Sequence, residues 1–259
     1  MPLRLFNHDD SSPDGADDDL PMPPHFRNIR GLVFDMGDVL FDATVWRRWL
    51  LQQLQRMGLQ ASYRSFFDVW DREYLDAVHR GERDYAEAFQ TFLRDTGLTN
   101  CQIDEILLAS NRCKREVEQD ARPFSGVRQT LERLKAVGIR MAVLTDSESP
   151  AAAIEARLVK LGIGSYFSAV VSSADLKQTK PARVCYATAV ERLRLTPAQT
   201  AFVGHDNDEL VGARRAGLAV VAIHYERGAA AEVYLRRFDG LLSLFETRGG
   251  ESASYREAA

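Results

Sequence analysis

Gly31-Leu32-Val33-Phe34-Asp35-Met36-Gly37-Asp38-Val39-Leu40-Phe41-Asp42 is the stretch on which the fold turns. Leu32-Val33-Phe34 is apolar without alternation, the mark of a strand buried on both faces, and it stops at a carboxylate. Such a strand delivers one acid to the rim of a sheet, so Asp35 is the first candidate for chemistry. The plainer alternative is an Asp that ends a strand and bonds the next turn. Three later stretches weigh against it.

Downstream, from Asp42 to Ala121, the spacing is helical, with Asp42 placed to cap the first helix. Val45, Trp46, Trp49, Leu50, Leu54 and Met57 form one apolar stripe. Phe66, Phe67, Trp70, Tyr74 and Val78 form a second after Gly58. Further stripes run through Tyr85, Phe89, Phe92 and Leu93, and through Ile103, Ile106, Leu107 and Val117. Successive amphipathic helices predict a small bundle whose aromatics are core.

From Arg122-Pro123 helix and strand alternate, which predicts a parallel α/β sheet. A helix over Val127, Leu131 and Leu134 precedes strand Met141–Leu144, which reaches Thr145-Asp146-Ser147. A helix from Ala151 to Leu161 leads to strand Phe167–Val171, then to a loop from Ser172 to Pro181 that contains Lys180. The helix carrying Val184, Ala187, Val190 and Leu193 leads to strand Ala201–Val203, then to Gly204-His205-Asp206-Asn207-Asp208-Glu209. A short helix through Leu210 and Ala213 leads to the last expected strand, Leu218–Ile223.

In open parallel sheets ligands bind beyond the carboxyl ends of the strands. Asp35, Thr145, Lys180 and the His205–Glu209 stretch are expected to converge there. A carboxylate can attack phosphorus, a hydroxyl and an ammonium can hold phosphoryl oxygens, and an acidic loop can hold a hard cation.

Composition bounds the alternatives. The chain has 259 residues, is 45% hydrophobic and carries a net charge of -4, which suits a globular protein and not a nucleic-acid binder. The odd and widely spaced Cys101, Cys113 and Cys185 suggest neither a disulfide framework nor a metal motif. No apolar run approaches the ~18 residues that cross a bilayer, and no export signal is recognisable. Free thiols and a cytoplasmic location are expected. Residues 1–25, rich in Asp, Ser, Gly and Pro, are expected to be a disordered tail, with Met22 an alternative start, and 248–259 a second tail. Residues 26–41 and 122–247 then form the α/β core, with 42–121 a helical cap.

Taken in order, Phe34-Asp35-Met36-Gly37-Asp38-Val39-Leu40, Leu144-Thr145-Asp146-Ser147, Lys180-Pro181, and Phe202-Val203-Gly204 followed by Gly212-Ala213 and Ala216-Gly217 resemble the haloacid dehalogenase superfamily of hydrolases over residues 28–225. The resemblance implies a doubly wound parallel sheet with a cap that selects substrates. It also implies a Mg²⁺-dependent phosphatase of a small phosphorylated metabolite. Asp35 would be the nucleophile, forming a phospho-aspartate. Thr145, Asp146 and Lys180 would hold the phosphate. Asp35, the Gly37 carbonyl and Asp206 would hold Mg²⁺, or Mn²⁺ or another divalent ion.

Two positions depart from the family pattern. The general acid and base usually found two residues after the nucleophile is Gly37 here, leaving Asp38 as a substitute or a turn former. His205 and Glu209 fall where the family has acids, so either Asp206 or His205 meets the metal. A protein that binds a phosphorylated ligand or partner without turnover is one alternative, and a metal-free dehalogenase attacking carbon through Asp35 another. Arg47, Arg48 and Tyr63 are cap candidates for substrate contact, the arginines having a solvated face as their plainer role.

Overall fold

The computed structural model describes residues 23–225 and 228–245. Most of the expected N-terminal tail and all of 248–259 lie outside the described residues. Six parallel strands form one sheet: β1 (Gly31–Phe34), β2 (Arg140–Thr145), β3 (Ala169–Ser172), β4 (Thr200–Gly204), β5 (Ala219–Ile223) and β6 (Val233–Leu235). Their order is β3-β2-β1-β4-β5-β6, which buries β1 at the middle and makes every residue of it inaccessible. That burial is why its sequence is apolar without alternation. The edge strand β6 was not expected, because Val-Tyr-Leu is too short to register as a strand in sequence.

Between β1 and β2 run α1 (Val45–Arg56), α2 (Tyr63–Val69), α3 (Asp76–His79), α4 (Tyr85–Asp95) and α5 (Asn100–Asp120). They share an apolar cluster of their own around Leu54, Phe66, Phe67, Trp70, Phe89, Phe92 and Ile103. Side-chain oxygens of Ser62, Asp84 and Thr99 accept the N–H groups of Ser65, Glu87 and Gln102 and so fix three helix starts. Asp42 does not cap α1. Thr44 holds that position, and Asp42 accepts the N–H and the hydroxyl of Thr44 at 2.9 and 2.6 Å.

The second stripe is not one regular helix. Trp70–Leu75 is a π-helical turn between α2 and α3. Its wider turn keeps Trp70 in the helical core while Asp71, Leu75, Asp76 and His79 face a cavity.

The remaining helices cover both faces of the sheet. α6 (Val127–Ala136) and α7 (Ala151–Lys160) pack on one side, with a 3₁₀ turn at Pro24–Asn28 that buries Phe26 and another at Phe238–Leu244. The ordered chain thus begins at least two residues before position 26. α8 (Ser173–Leu176) occupies part of the expected loop after β3. α9 (Arg183–Arg192) and α10 (Asn207–Arg215) cover the other face. On α9 the buried side is Cys185, Tyr186, Ala189 and Val190, whereas Val184 and Ala187 are exposed. Of the expected stripe Val190 and Leu193 are buried, while small apolar residues all round the helix let Cys185, Tyr186 and Ala189 take the inward places of Val184 and Ala187.

Candidate active site

Strand register brings the site together. Phe34 lies opposite Val143 of β2 and Val203 of β4, so the next residue, Asp35, emerges between the ends of both neighbours. Its N–H still donates to the Val203 carbonyl at 2.9 Å, which fixes where the carboxylate starts. Thr145 ends β2 and His205 follows β4 at the same edge, where ligands of open sheets bind. Asp35, Thr145, Asp146, Lys180, His205, Asp206 and Glu209 all line one cavity of about 450 Å³.

Lys180 comes from the loop between α8 and α9. Its Nζ lies 2.5 Å from Asp35 Oδ1 and 3.0 Å from Glu209 Oε2, with Lys180 and Asp35 both buried. Burial disfavours the ammonium, but Asp35, Glu209 and Asp146 together hold it well above its ordinary value. Lys180 therefore stays charged beside the Asp35 carboxylate. Burial first, then Asp35 and Asp146, push Glu209 up, against the opposing pull of Lys180. Glu209 is fixed in turn by Tyr186, whose hydroxyl donates to its carbonyl at 2.8 Å.

Asp146 serves the loop as well as the cavity. Both its oxygens accept the Lys180 N–H at 3.2 Å, and burial pushes its carboxyl up to about 6. Thr145 is buried at the strand end. Beyond it, the Ser147 N–H donates to Ser173 Oγ at 2.9 Å, and Ser173 Oγ donates to the Ser147 carbonyl at 3.2 Å.

Asp38 takes the turn-forming role and faces the cavity too. It sits in the left-handed region at φ 56 and accepts the Ala43 N–H on Oδ1 at 2.9 Å. Burial raises its carboxyl, partly offset by that hydrogen bond. His224 Nδ1 lies 2.8 Å from its carbonyl. At Gly37 a Cβ would meet Ala43 Cβ at 3.1 Å, so the loop is fitted to the absence of a side chain.

The last motif divides its polar groups. Asp206 caps α10, its Oδ1 accepting the Glu209 N–H at 3.0 Å, while Asp208 is exposed. His205 Nε2 stands 3.6 Å from Asp35 Oδ2. Among the described residues no group of three His, Cys, Asp or Glu side chains is arranged to hold a metal. The oxygens that line the cavity beside Asp35 are nevertheless of the hard type. The second Asp35 oxygen, the Gly37 carbonyl and the uncommitted Asp206 oxygen fit Mg²⁺ by donor chemistry, and the His205 nitrogen does not.

From the helical side come Arg47, Tyr63, Asp71, Asp76 and His79. Of the expected cap candidates Arg47 and Tyr63 reach the cavity. Arg48 does not, being bonded to Asp42 at 2.5 Å. Thr179 donates to Asp76 at 2.9 Å, tying the Lys180 loop to α3. Sequence reading missed His79 and Arg157. Neither belongs to a motif, and only the π-helical turn and the packing of α7 turn them inward.

A model of haloacid dehalogenase-like hydrolases matches residues 29–217. A phosphoglycolate phosphatase of Pectobacterium atrosepticum is 28% identical over 237 residues, covering 88% of this chain and 96% of that protein. The structure of a predicted phosphoglycolate phosphatase from Haemophilus somnus is similar with a TM-score of 0.63 at 22% identity, covering 84% of this chain and 98% of that one. L-2-haloacid dehalogenase from Xanthobacter autotrophicus is similar with a TM-score of 0.59 at 20% identity, covering 85% of this chain and 99% of that one. With a family model spanning most of its length and the doubly wound sheet described above, this chain belongs to the haloacid dehalogenase-like hydrolases.

Proposed function

We propose that the chain is a phosphomonoesterase for a small phosphorylated metabolite, acting through a phosphorylated Asp35. The observation that carries this reading is Asp35 at the cavity floor, with Lys180 on one oxygen at 2.5 Å and the other oxygen turned toward His205. Lys180 orients the carboxylate and stays charged, ready to meet a phosphoryl oxygen. Thr145 donates to another oxygen of the same group. Asp35 attacks phosphorus, the ester P–O bond breaks, and the alcohol leaves with a proton. Water then cleaves the acyl phosphate and returns the Asp35 carboxylate with inorganic phosphate.

Asp35, the Gly37 carbonyl and Asp206 are the groups that would hold Mg²⁺, which when bound supplies positive charge to the phosphoryl oxygens. In place of the acid absent at Gly37, Asp38 is the acid on this loop that faces the cavity, and we assign it the proton for the leaving alcohol. His205 stands on the far side of the Asp35 carboxylate, its Nε2 3.6 Å from Oδ2. The helices α1–α5 act as the cap, and their Arg47, Tyr63 and His79 bound the substrate. The phosphatase names of the relatives support a phosphate ester over a halogenated acid. Free Cys101, Cys113 and Cys185 support a cytoplasmic setting. The test is a panel of phosphorylated metabolites assayed with Mg²⁺, Mn²⁺, Zn²⁺ or chelator. Inorganic phosphate released from at least one of them is expected, and release from none contradicts the reading.

A further inference from the structure

Three cationic side chains, Arg47, Arg157 and Lys180, line the cavity, and their partners differ. Lys180 is held between Asp35 and Glu209. Arg47 places its two terminal nitrogens on the Asp71 carboxylate at 2.7 and 2.8 Å, so its charge is met from within the helical part. Arg157 has no acidic partner among the described residues, and its Nε is shielded from solvent without an acceptor. A buried donor on a charged group is costly to leave unmatched.

Arg157 is held in position nonetheless. Its guanidinium carbon lies 4.7 Å from the centroid of the Phe41 ring, a cation–π contact that orients the planar fork. It stands three residues after Ile154 on α7, and both side chains line the cavity from the same helix face. Because α7 follows the Thr145–Ser147 loop, this cation is presented by the α/β part itself. A guanidinium fork matches a two-oxygen anion better than a single acceptor.

We infer that Arg157 binds a second anionic group of the substrate, a carboxylate or a second phosphate. The site then takes phosphomonoesters of small acids, or compact bisphosphates, in preference to phosphomonoesters of neutral alcohols. The cavity of about 450 Å³ that Arg157 shares with Asp35 and Lys180 has room for a small ester carrying both anions. This deepens the phosphomonoesterase reading and rests on it.

The test compares 2-phosphoglycolate, ethylene glycol bisphosphate, ethyl phosphate and p-nitrophenyl phosphate on the full chain with Mg²⁺ present, as wild type, Arg157→Gln and Arg157→Lys. A charge-assisted contact predicts about 10- to 100-fold higher kcat/KM for one doubly anionic ester than for ethyl phosphate. Arg157→Gln should raise KM for that ester by about the same factor, change its kcat less than about threefold, and leave ethyl phosphate unchanged. Arg157→Lys should recover part of the loss. The favoured ester identifies the second anion. Equal kcat/KM for all esters overturns the inference, as does a glutamine variant that loses kcat on every substrate alike. Calorimetric binding of phosphonoacetate, methylenebisphosphonate and ethylphosphonate reads the subsite without turnover. Tighter binding of one doubly anionic compound, lost in Arg157→Gln at an unchanged melting temperature, upholds it, and equal or undetectable binding of all three overturns it. No hydrolysis of any ester with that binding preference intact removes the phosphatase reading alone.

Discussion

His205 Nε2 stands 3.6 Å from Asp35 Oδ2, on the side of the carboxylate that Lys180 leaves open. A nitrogen thus stands where the family pattern has an acid. Replacing it by His205→Asp supplies an oxygen and should preserve or raise Mg²⁺-dependent turnover. Asp206→Asn should weaken Mg²⁺ dependence severely, because it removes a charged oxygen from a set with few others. If His205 is the true ligand, His205→Ala is the damaging change and the preference moves to Mn²⁺ or Zn²⁺. Titrating each metal against activity in the wild type and the three variants separates these outcomes. Activity with no metal present would sink both.

Asp38→Asn keeps an oxygen to accept the Ala43 N–H and tolerates the left-handed backbone, so the turn survives while the acid is lost. A kcat lower by about 10²-fold at an unchanged melting temperature is expected if Asp38 supplies the proton. An unaltered kcat would leave Asp38 a turn residue only.

Gly212 packs α10 against the Lys180-Pro181 loop. A Cβ there would meet Pro181 Cβ at 2.5 Å, the Tyr186 hydroxyl at 2.9 Å and the Pro181 carbonyl at 3.0 Å. Backbone cannot yield as a flexible side chain does. Gly212→Ala should cost about 1–3 kcal/mol of stability and also lower kcat, since α10 carries Glu209 and follows His205. Urea unfolding alongside the esterase assay checks both halves. A variant of wild-type stability would show that the contact relaxes freely.

Lys114 gives a pH signature of the helical part. Its Nζ lies 3.6 Å from the Tyr85 ring centroid and 4.5 Å from that of Trp46. Burial lowers its pKa to about 8, against the opposing pull of Glu148 and Glu118. Between about pH 8 and the ordinary lysine value near 10.4 the unfolded chain binds more protons than the folded one, so this group makes stability rise with pH across that window. Relative to wild type, Lys114→Met should melt higher at pH 7, and the difference should shrink toward pH 10. A constant difference would mean that Lys114 titrates normally.

The core was legible because chemistry and pattern coincide there. The β1 run ends in Asp35, and Thr145 and Gly204 end runs of the same kind, so parallel pairing alone brings the motif residues to one edge. What stayed hidden depended on local geometry. His79 and Asp76 reach the cavity through a π-helical turn, which leaves the i, i+4 stripe of Phe66, Trp70 and Tyr74 looking regular. The Asp206 carboxylate reads in sequence as a metal ligand, and its Oδ1 also accepts the Glu209 N–H that starts α10, while Asp42, which reads as the cap of α1, bonds Thr44 and Arg48 instead. Arg157 carries no motif, and only the Phe41 contact reveals where it is held.

The central claim is that Asp35 is the group that takes up phosphorus. The most direct measurement is phosphate release by Asp35→Asn, beside its melting temperature, on whichever ester the wild type hydrolyses. The carboxamide is nearly isosteric and a far weaker nucleophile. Hydrolysis should fall to background in a folded protein, and acid-stable trapping of phosphate on the wild-type chain should vanish with it. Undiminished turnover by a correctly folded Asp35→Asn variant would contradict the mechanism outright.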